Sequence, residues 1–178
     1  MGEPQSYFVL TAVGPDRPGL VNEISSRLRE AGANLEGSRM AILGGEFAII
    51  LLLAAPAAAV ERVRSASGSI ESAVKLRCIL KETTASTTPR EHLLYRLRVT
   101  GADRPGIVQI VTGVLAGRGI NVQSLESRIT HAPLSGTALF VMEAELQVPK
   151  GLKVTALRAE LTRRCEDEDL DVTLESAS

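Results

Sequence analysis

Two short stretches of this sequence combine glycine, proline, aspartate and arginine in the same order. The first is Gly-Pro-Asp-Arg-Pro-Gly at 14–19, and the second is Gly-Ala-Asp-Arg-Pro-Gly at 101–106, which lies 87 residues later (14 to 101). Each precedes a segment whose apolar residues have helical spacing. Because the first N–H groups of a helix lack helical acceptors and carry partial positive charge, such a start attracts a carboxylate. These residues therefore predict anion binding.

The loop glycines and aspartates can be interpreted with or without a ligand. Gly19 and Gly106 lack the Cβ that would keep a ligand away from the backbone, and the proline before each glycine is expected to open the helix. Asp16 and Asp103 are expected to cap the helices by accepting a hydrogen bond from the N–H three residues further on. Capping requires no ligand, and both interpretations can hold together.

Arginine and asparagine side chains extend the candidate site. Arg17 and Arg104 can pair with a ligand carboxylate, or they are solvated or held by an acid of a partner. Asn34 and Asn121 open the second strand of each copy and offer both a donor and an acceptor, which suits the ammonium and carboxylate of an amino acid. Alternatively, asparagine is present here only because it tolerates the left-handed turn that follows Gly32 and Gly119.

The elements around the motif recur at the same spacing. Each copy reads as strand, helix, two strands, helix and strand, and Gly44-Gly45 predicts a tight hairpin in the first copy. The predicted elements of the first copy are 7–13, 18–32, 35–43, 47–55, a helix after Pro56, and 73–81. Those of the second copy are 94–100, 105–118, 122–130, 137–148, about 152–164, and 170–174.

This βαββαβ order predicts an α+β fold made of two ferredoxin-like domains in tandem. Each domain would have a four-stranded antiparallel sheet covered on one face by two helices. A period of 87 residues with only two copies indicates a duplicated domain rather than a solenoid. We expect domain one at 1–82, a small and polar linker at 83–92, and domain two at 93–178.

Composition excludes several classes of protein. The 178 residues are 44% hydrophobic and 23% charged, which is typical of folded chains. Twenty Lys and Arg against 21 Asp and Glu give a net charge of -1, so direct binding to nucleic acid is not expected. Aromatic residues are only 3%, which disfavours a stacking platform or an aromatic cofactor pocket. No cofactor is expected.

Targeting and metal-binding signals are weak. No secretory signal is visible, and the longest apolar run, 47–55, is too short to cross a bilayer, so we expect a cytoplasmic protein without a membrane segment. Cys78 and Cys165 are expected to be reduced thiols, and His92 and His131 to be solvated. The acidic run at 166–169 is expected to end a helix in solvent, so neither metal-binding nor catalytic residues are predicted.

The repeated pattern resembles a known family. A strand ending in Gly-x-Asp-Arg-Pro-Gly-[Ile/Leu]-Val, an amphipathic helix and then Gly-x-Asn-[Leu/Val] are similar to the ACT family of small-molecule-sensing regulatory domains, and here they occur twice. The resemblance implies a ferredoxin-like fold, pairing between domains, and an amino acid bound where the first loop of one domain meets the second strand of its partner. The ligand contacts predicted in this way are Asp16, Arg17, Gly19, Leu20, Asn34, Asp103, Arg104, Gly106, Ile107 and Asn121.

A narrower resemblance comes from residues 34–47, which look like the first domain of the glycine cleavage system transcriptional repressor family. It implies a regulatory protein, not an enzyme, that senses glycine or another small amino acid and acts through a protein partner, with transcriptional control the first candidate. The alternative is a detached regulatory subunit that controls an amino-acid-metabolising enzyme.

The strand predicted at 47–55 also bears on self-association, because it is apolar on both faces. Helices on one side of the sheet would leave either the row of Ile49, Leu51 and Leu53 or that of Ile50 and Leu52 in water. We therefore expect another domain or chain to cover the outer face of the first sheet, most simply in a homodimer.

Overall fold

The computed structural model of the protein describes residues 4–84, 92–131 and 136–177. The chain divides into two compact units, residues 1–87 and 88–178, and each unit has its own hydrophobic core. The linker expected at 83–92 lies outside the described residues except at its ends, which belong to strands. No helix in the described ranges has the length and apolar character needed to span a membrane.

Unit one has the predicted order of strands and helices. Its elements are β1 (Gln5–Pro15), α1 (Leu20–Glu30), β2 (Asn34–Leu43), β3 (Glu46–Pro56), a 3-10 turn (Ala57–Ala59), α2 (Val60–Val74) and β4 (Arg77–Thr83). The strands form one antiparallel sheet in the order β2-β3-β1-β4. The tight hairpin is confirmed, since Gly44 and Gly45 have φ of 61° and 83°.

Unit two repeats this arrangement. Its elements are β5 (His92–Ala102), α3 (Ile107–Gly117), β6 (Asn121–His131), β7 (Ala138–Pro149), α4 (Val154–Glu166) and β8 (Leu170–Ser176). The sheet order is β6-β7-β5-β8, again antiparallel throughout. The predicted α+β fold of two βαββαβ domains is confirmed.

One face of each sheet holds the core, as strand alternation predicts. Along β3, Phe47, Ile49, Leu51 and Leu53 are buried, whereas Ile50 is half exposed. Helix α1 buries Leu20, Ile24 and Leu28, which recur at helical spacing, against the same face. The large aliphatic side chains among these contribute about 1.5–3 kcal/mol each when fully buried.

Some predicted boundaries are wrong. The helices after the two motifs begin at Leu20 and Ile107, not at the prolines two positions earlier. Strand β4 begins at Arg77 rather than at residue 73, because α2 continues to Val74 and buries that side chain in the core. The chain leaves α2 through Lys75, whose φ of 59° is left-handed.

Candidate ligand-binding site

The first motif forms a short loop between β1 and α1. Its Asp16 N–H donates to the carbonyl of Gly45 over 3.0 Å, which ties the loop to the β2–β3 hairpin. Gly19 has φ of 93°, and its carbonyl accepts the first helical hydrogen bond, from the N–H of Glu23. The N–H groups of the three residues between them therefore have no acceptor inside the helix. They form a small, positively polarised helix start.

The second motif has the same geometry. The Asp103 N–H donates to the carbonyl of Ala138 over 3.1 Å, and Gly106 has φ of 97°. The Gly106 carbonyl accepts from the N–H of Ile110 over 3.0 Å, so α3 also starts with uncommitted N–H groups. The duplicated sequence thus produces two matching helix starts.

The prediction that the aspartates cap these helices is wrong. The N-cap residues are Gly19 and Gly106, and neither helix has a side-chain cap. Asp16 and Asp103 lie earlier in the loops, where their backbone N–H groups donate to Gly45 in the β2–β3 turn and to Ala138 in β7. The left-handed glycine at each N-cap sets the angle at which the helix leaves the loop, and Pro18 and Pro105 lie in the turn before it.

The first glycine of each motif has a purely structural role. A Cβ on Gly14 would lie 2.9 Å from Leu76 Cδ2 and 3.1 Å from the carbonyl oxygen of Lys75. A Cβ on Gly101 would likewise meet Leu170 and lie 3.1 Å from the Asp169 carbonyl oxygen. The motif therefore combines a close-packing glycine with a left-handed glycine.

Arg17 is held by an acid of the helix that follows its loop. Its guanidinium donates from Nη1 to Glu23 Oε1 over 2.6 Å and from Nη2 to Oε2 over 2.8 Å. The hydrogen bond raises the pKa of Arg17 and lowers that of Glu23. The pair is exposed to solvent, so its contribution to stability is small. A ligand carboxylate would have to compete with Glu23 for this guanidinium. The sequence alone did not identify Glu23 as the partner of Arg17.

Arg104 is held differently. It contacts the end of α4, where its Nη2 donates to the Glu168 carbonyl oxygen over 2.5 Å and pairs with the Glu168 carboxylate over 2.6 Å. The acidic run ends α4, as expected, but its Glu168 is held by Arg104. The residue of the second copy that corresponds to Glu23 is Ile110. This difference between the copies is visible in the sequence and indicates that the two loop arginines have different partners. Helix α3 therefore starts without the acid that accompanies α1.

The asparagines begin β2 and β6 and have local partners. Asn34 Nδ2 donates to Glu36 Oε1 over 2.7 Å, and Asn121 Nδ2 donates to Gln147 Oε1 over 2.9 Å. Neither asparagine has a positive φ, because Gly32 and Gly119 make the left-handed turns. The explanation of asparagine as a left-handed turn residue is therefore wrong.

Within one unit, the asparagine and the loop lie at opposite ends of the sheet. Asn34 is aligned with Ala54 and Tyr7, whereas the loop follows Pro15, which is aligned with Glu46. Eight rows along β3 (46 to 54) correspond to about 26 Å at roughly 3.3 Å per residue. Unit two repeats this separation of Asn121 from its own loop. No single unit brings the predicted contacts together.

An apolar groove of about 310 Å³ lies between α1 and β2. Asn34 is at its edge, with Ser25, Ser38 and Arg29 as further polar lining residues. Its apolar lining includes Val21, Leu35 and Met40, among others. The volume is sufficient for a small molecule. The loop residues Asp16 to Gly19 do not line it, although Val21 in the first turn of α1 does.

Comparison with known proteins agrees with this duplicated architecture. The ACT domain family matches residues 6–74 and again residues 95–156. The chain belongs to the ACT-domain family. Each match lies within one of the units described above, begins in the strand before a loop and includes that loop.

Several relatives share both ACT domains. The glycine cleavage system transcriptional repressor of Escherichia coli K12 is 35% identical over 128 residues, which cover 72% of this chain and 67% of the relative. A crystal structure of an unknown protein from Galdieria sulphuraria is 35% identical, with a TM-score of 0.85 and coverage of 98% of this chain and 100% of that one. A structure assigned to a glycine cleavage system transcriptional repressor is 25% identical, with a TM-score of 0.73 and 98% coverage of both chains.

These findings confirm the resemblance on which the sequence analysis relied. The protein is a tandem ACT-domain protein similar to the glycine cleavage system transcriptional repressor.

Proposed function

We propose that this protein senses an amino acid and passes its presence to a protein partner. The observation that supports this function best is the pair of matching helix starts, each with a left-handed glycine and N–H groups that lack a helical acceptor. These groups suit a carboxylate, which every amino acid carries. The similarity to a transcriptional repressor makes control of glycine cleavage or related metabolism the first candidate output.

The proposed ligand bridges two domains. Its carboxylate lies at the helix start after Gly19 or Gly106, and its ammonium group lies near the asparagine, Asn121 or Asn34, of a second ACT domain. The separation of loop and asparagine within each unit supports this arrangement, since neither unit can supply both groups to one small molecule. The loop after Gly106 is the better carboxylate site, because no Glu23 equivalent competes there.

The role is regulatory and not catalytic. Two relatives that are similar over most of this chain are named as glycine cleavage system transcriptional repressors, and the candidate site contains hydrogen-bond donors rather than a nucleophile and base. A detached subunit that regulates an amino-acid-metabolising enzyme is the alternative. Copurification distinguishes the two, because the retained partner is a DNA-binding regulator in one case and an enzyme in the other.

A thermal-shift screen with the twenty standard amino acids at millimolar concentration tests sensing. A ligand at tenfold excess over Kd should stabilise the protein by about 1.4 kcal/mol, because RT ln 11 has that size. For a domain of this size we expect the melting temperature to rise by about 5–10 °C. If all twenty leave it unchanged, free amino acids are not the ligand.

Paired variants locate the site. Asn121→Ala and Asn34→Ala should each reduce the shift if that asparagine receives the ammonium group, while the exposed helix variant Ser67→Ala is the matched control and should retain it. A full shift in both asparagine variants would contradict the proposed placement, even with sensing intact.

A further inference from the structure

The outer face of the unit-one sheet is apolar in its centre. The three inner rows across the four strands carry Ile50, Leu52, Val9, Val13 and Ile79, interspersed with small residues. Ile50 is 51% exposed, Ile79 70% and Val13 42%. This face lies on the side of the sheet away from the helices, so its aliphatic side chains do not belong to the core.

Cations line both sides of this apolar centre. Arg39 lies on the edge strand β2, next to Ile50, while Arg77 and Lys81 lie on β4 at the other edge. All three are exposed, and none forms an ion pair within the described ranges of the chain. Glu46 lies at the hairpin end of this face, outside these rows, and Glu36, at the β2 bulge beside Gly37, accepts a hydrogen bond from Asn34.

The sheet of unit two shows that the fold does not impose such a face. At the positions of Ile50 and Leu52 it has Glu143 and Glu145, opposite Arg98 and Arg96. Arg98 pairs with Glu143 over 3.3 Å, so these charges neutralise one another in solvent. The edge positions of Arg39, Arg77 and Lys81 correspond to Glu126, Asp171 and Glu175, so the sign of the edges is reversed.

The sequence favoured a homodimer as the cover for this face, but its charges make a second copy of the same face a poor occupant. A twofold axis parallel or perpendicular to the strands would pack cationic edges against cationic edges. The unit-two face is also unsuitable, because covering its paired charges with aliphatic side chains would remove them from water. The occupant must be apolar in the middle and acidic on its flanks.

We propose that this face binds a protein partner through an amphipathic helix whose apolar stripe is flanked by Glu or Asp. The small residues Gly37, Ala41 and Ala48 between the larger aliphatics allow a helix to approach the sheet closely. The flanking acids pair with Arg39 on one side and with Arg77 and Lys81 on the other. This inference rests on the proposed action through a protein partner and adds the surface and chemistry of that contact.

Binding of two synthetic peptides tests the proposal. Both are 18-residue amphipathic helices with the same leucine stripe, one flanked by Glu and the other by Lys. Titration of the full chain, followed by NMR, should give shifts at Ile50, Ile79 and Val13 with the Glu peptide. The Lys peptide should bind about tenfold more weakly or worse, since several ion pairs become repulsive.

Charge-reversal variants provide the matched control. Arg77→Glu with Lys81→Glu should weaken the Glu peptide about tenfold and favour the Lys peptide. Glu126→Lys with Glu175→Lys, the reversal at the equivalent edges of unit two, should leave both affinities unchanged. Circular dichroism checks that each variant is folded.

Several outcomes would overturn the proposal. These are equal binding of the two peptides, no binding, or shifts confined to the α1–β2 groove. If the protein is a dimer and Ile50→Asp dissociates it, the face binds a second copy. If the protein binds phosphatidylglycerol vesicles but neither peptide, the face binds a membrane surface. The thermal shift with amino acids does not depend on this face. If an amino acid stabilises the protein but neither peptide binds, only this inference is rejected.

Discussion

At the scale of single residues, the two N-cap glycines have the most restricted backbone in the candidate site. Gly19 and Gly106 have φ of 93° and 97°, a region that residues with a Cβ rarely adopt. Space is not the constraint, because a Cβ on Gly19 would come no closer than 3.7 Å to Glu23 and one on Gly106 would have nothing within 4 Å. The requirement for glycine at both positions is therefore conformational.

We predict that Gly106→Ala lowers the free energy of unfolding by about 1–2 kcal/mol, the typical cost of a left-handed conformation for a residue with a Cβ. The matched control is Gly113→Ala in the middle of α3, where a Cβ would have nothing within 4 Å and φ is not positive. This change should raise stability by about 0.5–1 kcal/mol, because alanine favours a helix over glycine. Urea unfolding measures both, and equal effects would refute the backbone argument.

At the scale of elements, β3 has apolar side chains on both faces but is covered by helices on one. Ile49 is 3% exposed and belongs to the core, whereas its neighbour Ile50 is 51% exposed on the outer face. Periodicity could not distinguish these faces, because both rows of the strand are aliphatic. The contacts of α1 and α2 decide which row is buried.

Neighbouring substitutions on β3 should therefore differ sharply. We expect Ile49→Ala to reduce the free energy of unfolding by about 2–5 kcal/mol, through lost burial and the cavity that remains. Ile50→Ala should cost less than about 1 kcal/mol in the isolated protein, since half of its side chain is already in water. Chemical denaturation of the two variants gives the comparison, and similar losses would show that the outer face is covered in solution.

At the scale of the whole molecule, the duplication produced two units with separate cores. The core of unit one draws its side chains from β1, β3 and β4 with α1 and α2, and that of unit two mainly from β5, β7 and β8 with α3 and α4. We propose that the domains extend over 1–82 and 93–178, in line with this division. Each core is complete within its own unit.

A fragment of residues 1–87 should accordingly fold without the rest of the chain. We expect a cooperative thermal transition and dispersed amide resonances that overlay those of unit one in the full chain. Ile49→Ala in the fragment should lower its melting temperature, which confirms that the transition reports this core. A fragment with collapsed resonances and no transition would show that unit one needs unit two to fold.

Local spacing and a motif that occurs twice were sufficient to predict the duplicated βαββαβ order, the family and the position of both loops. Tertiary structure alone decided the partners of the loop arginines. Arg17 pairs with Glu23 six positions away, but Arg104 pairs with Glu168, which lies 64 residues further along the chain. It also decided that each asparagine lies at the opposite end of the sheet from its own loop, since strand pairing sets that distance and residue spacing does not.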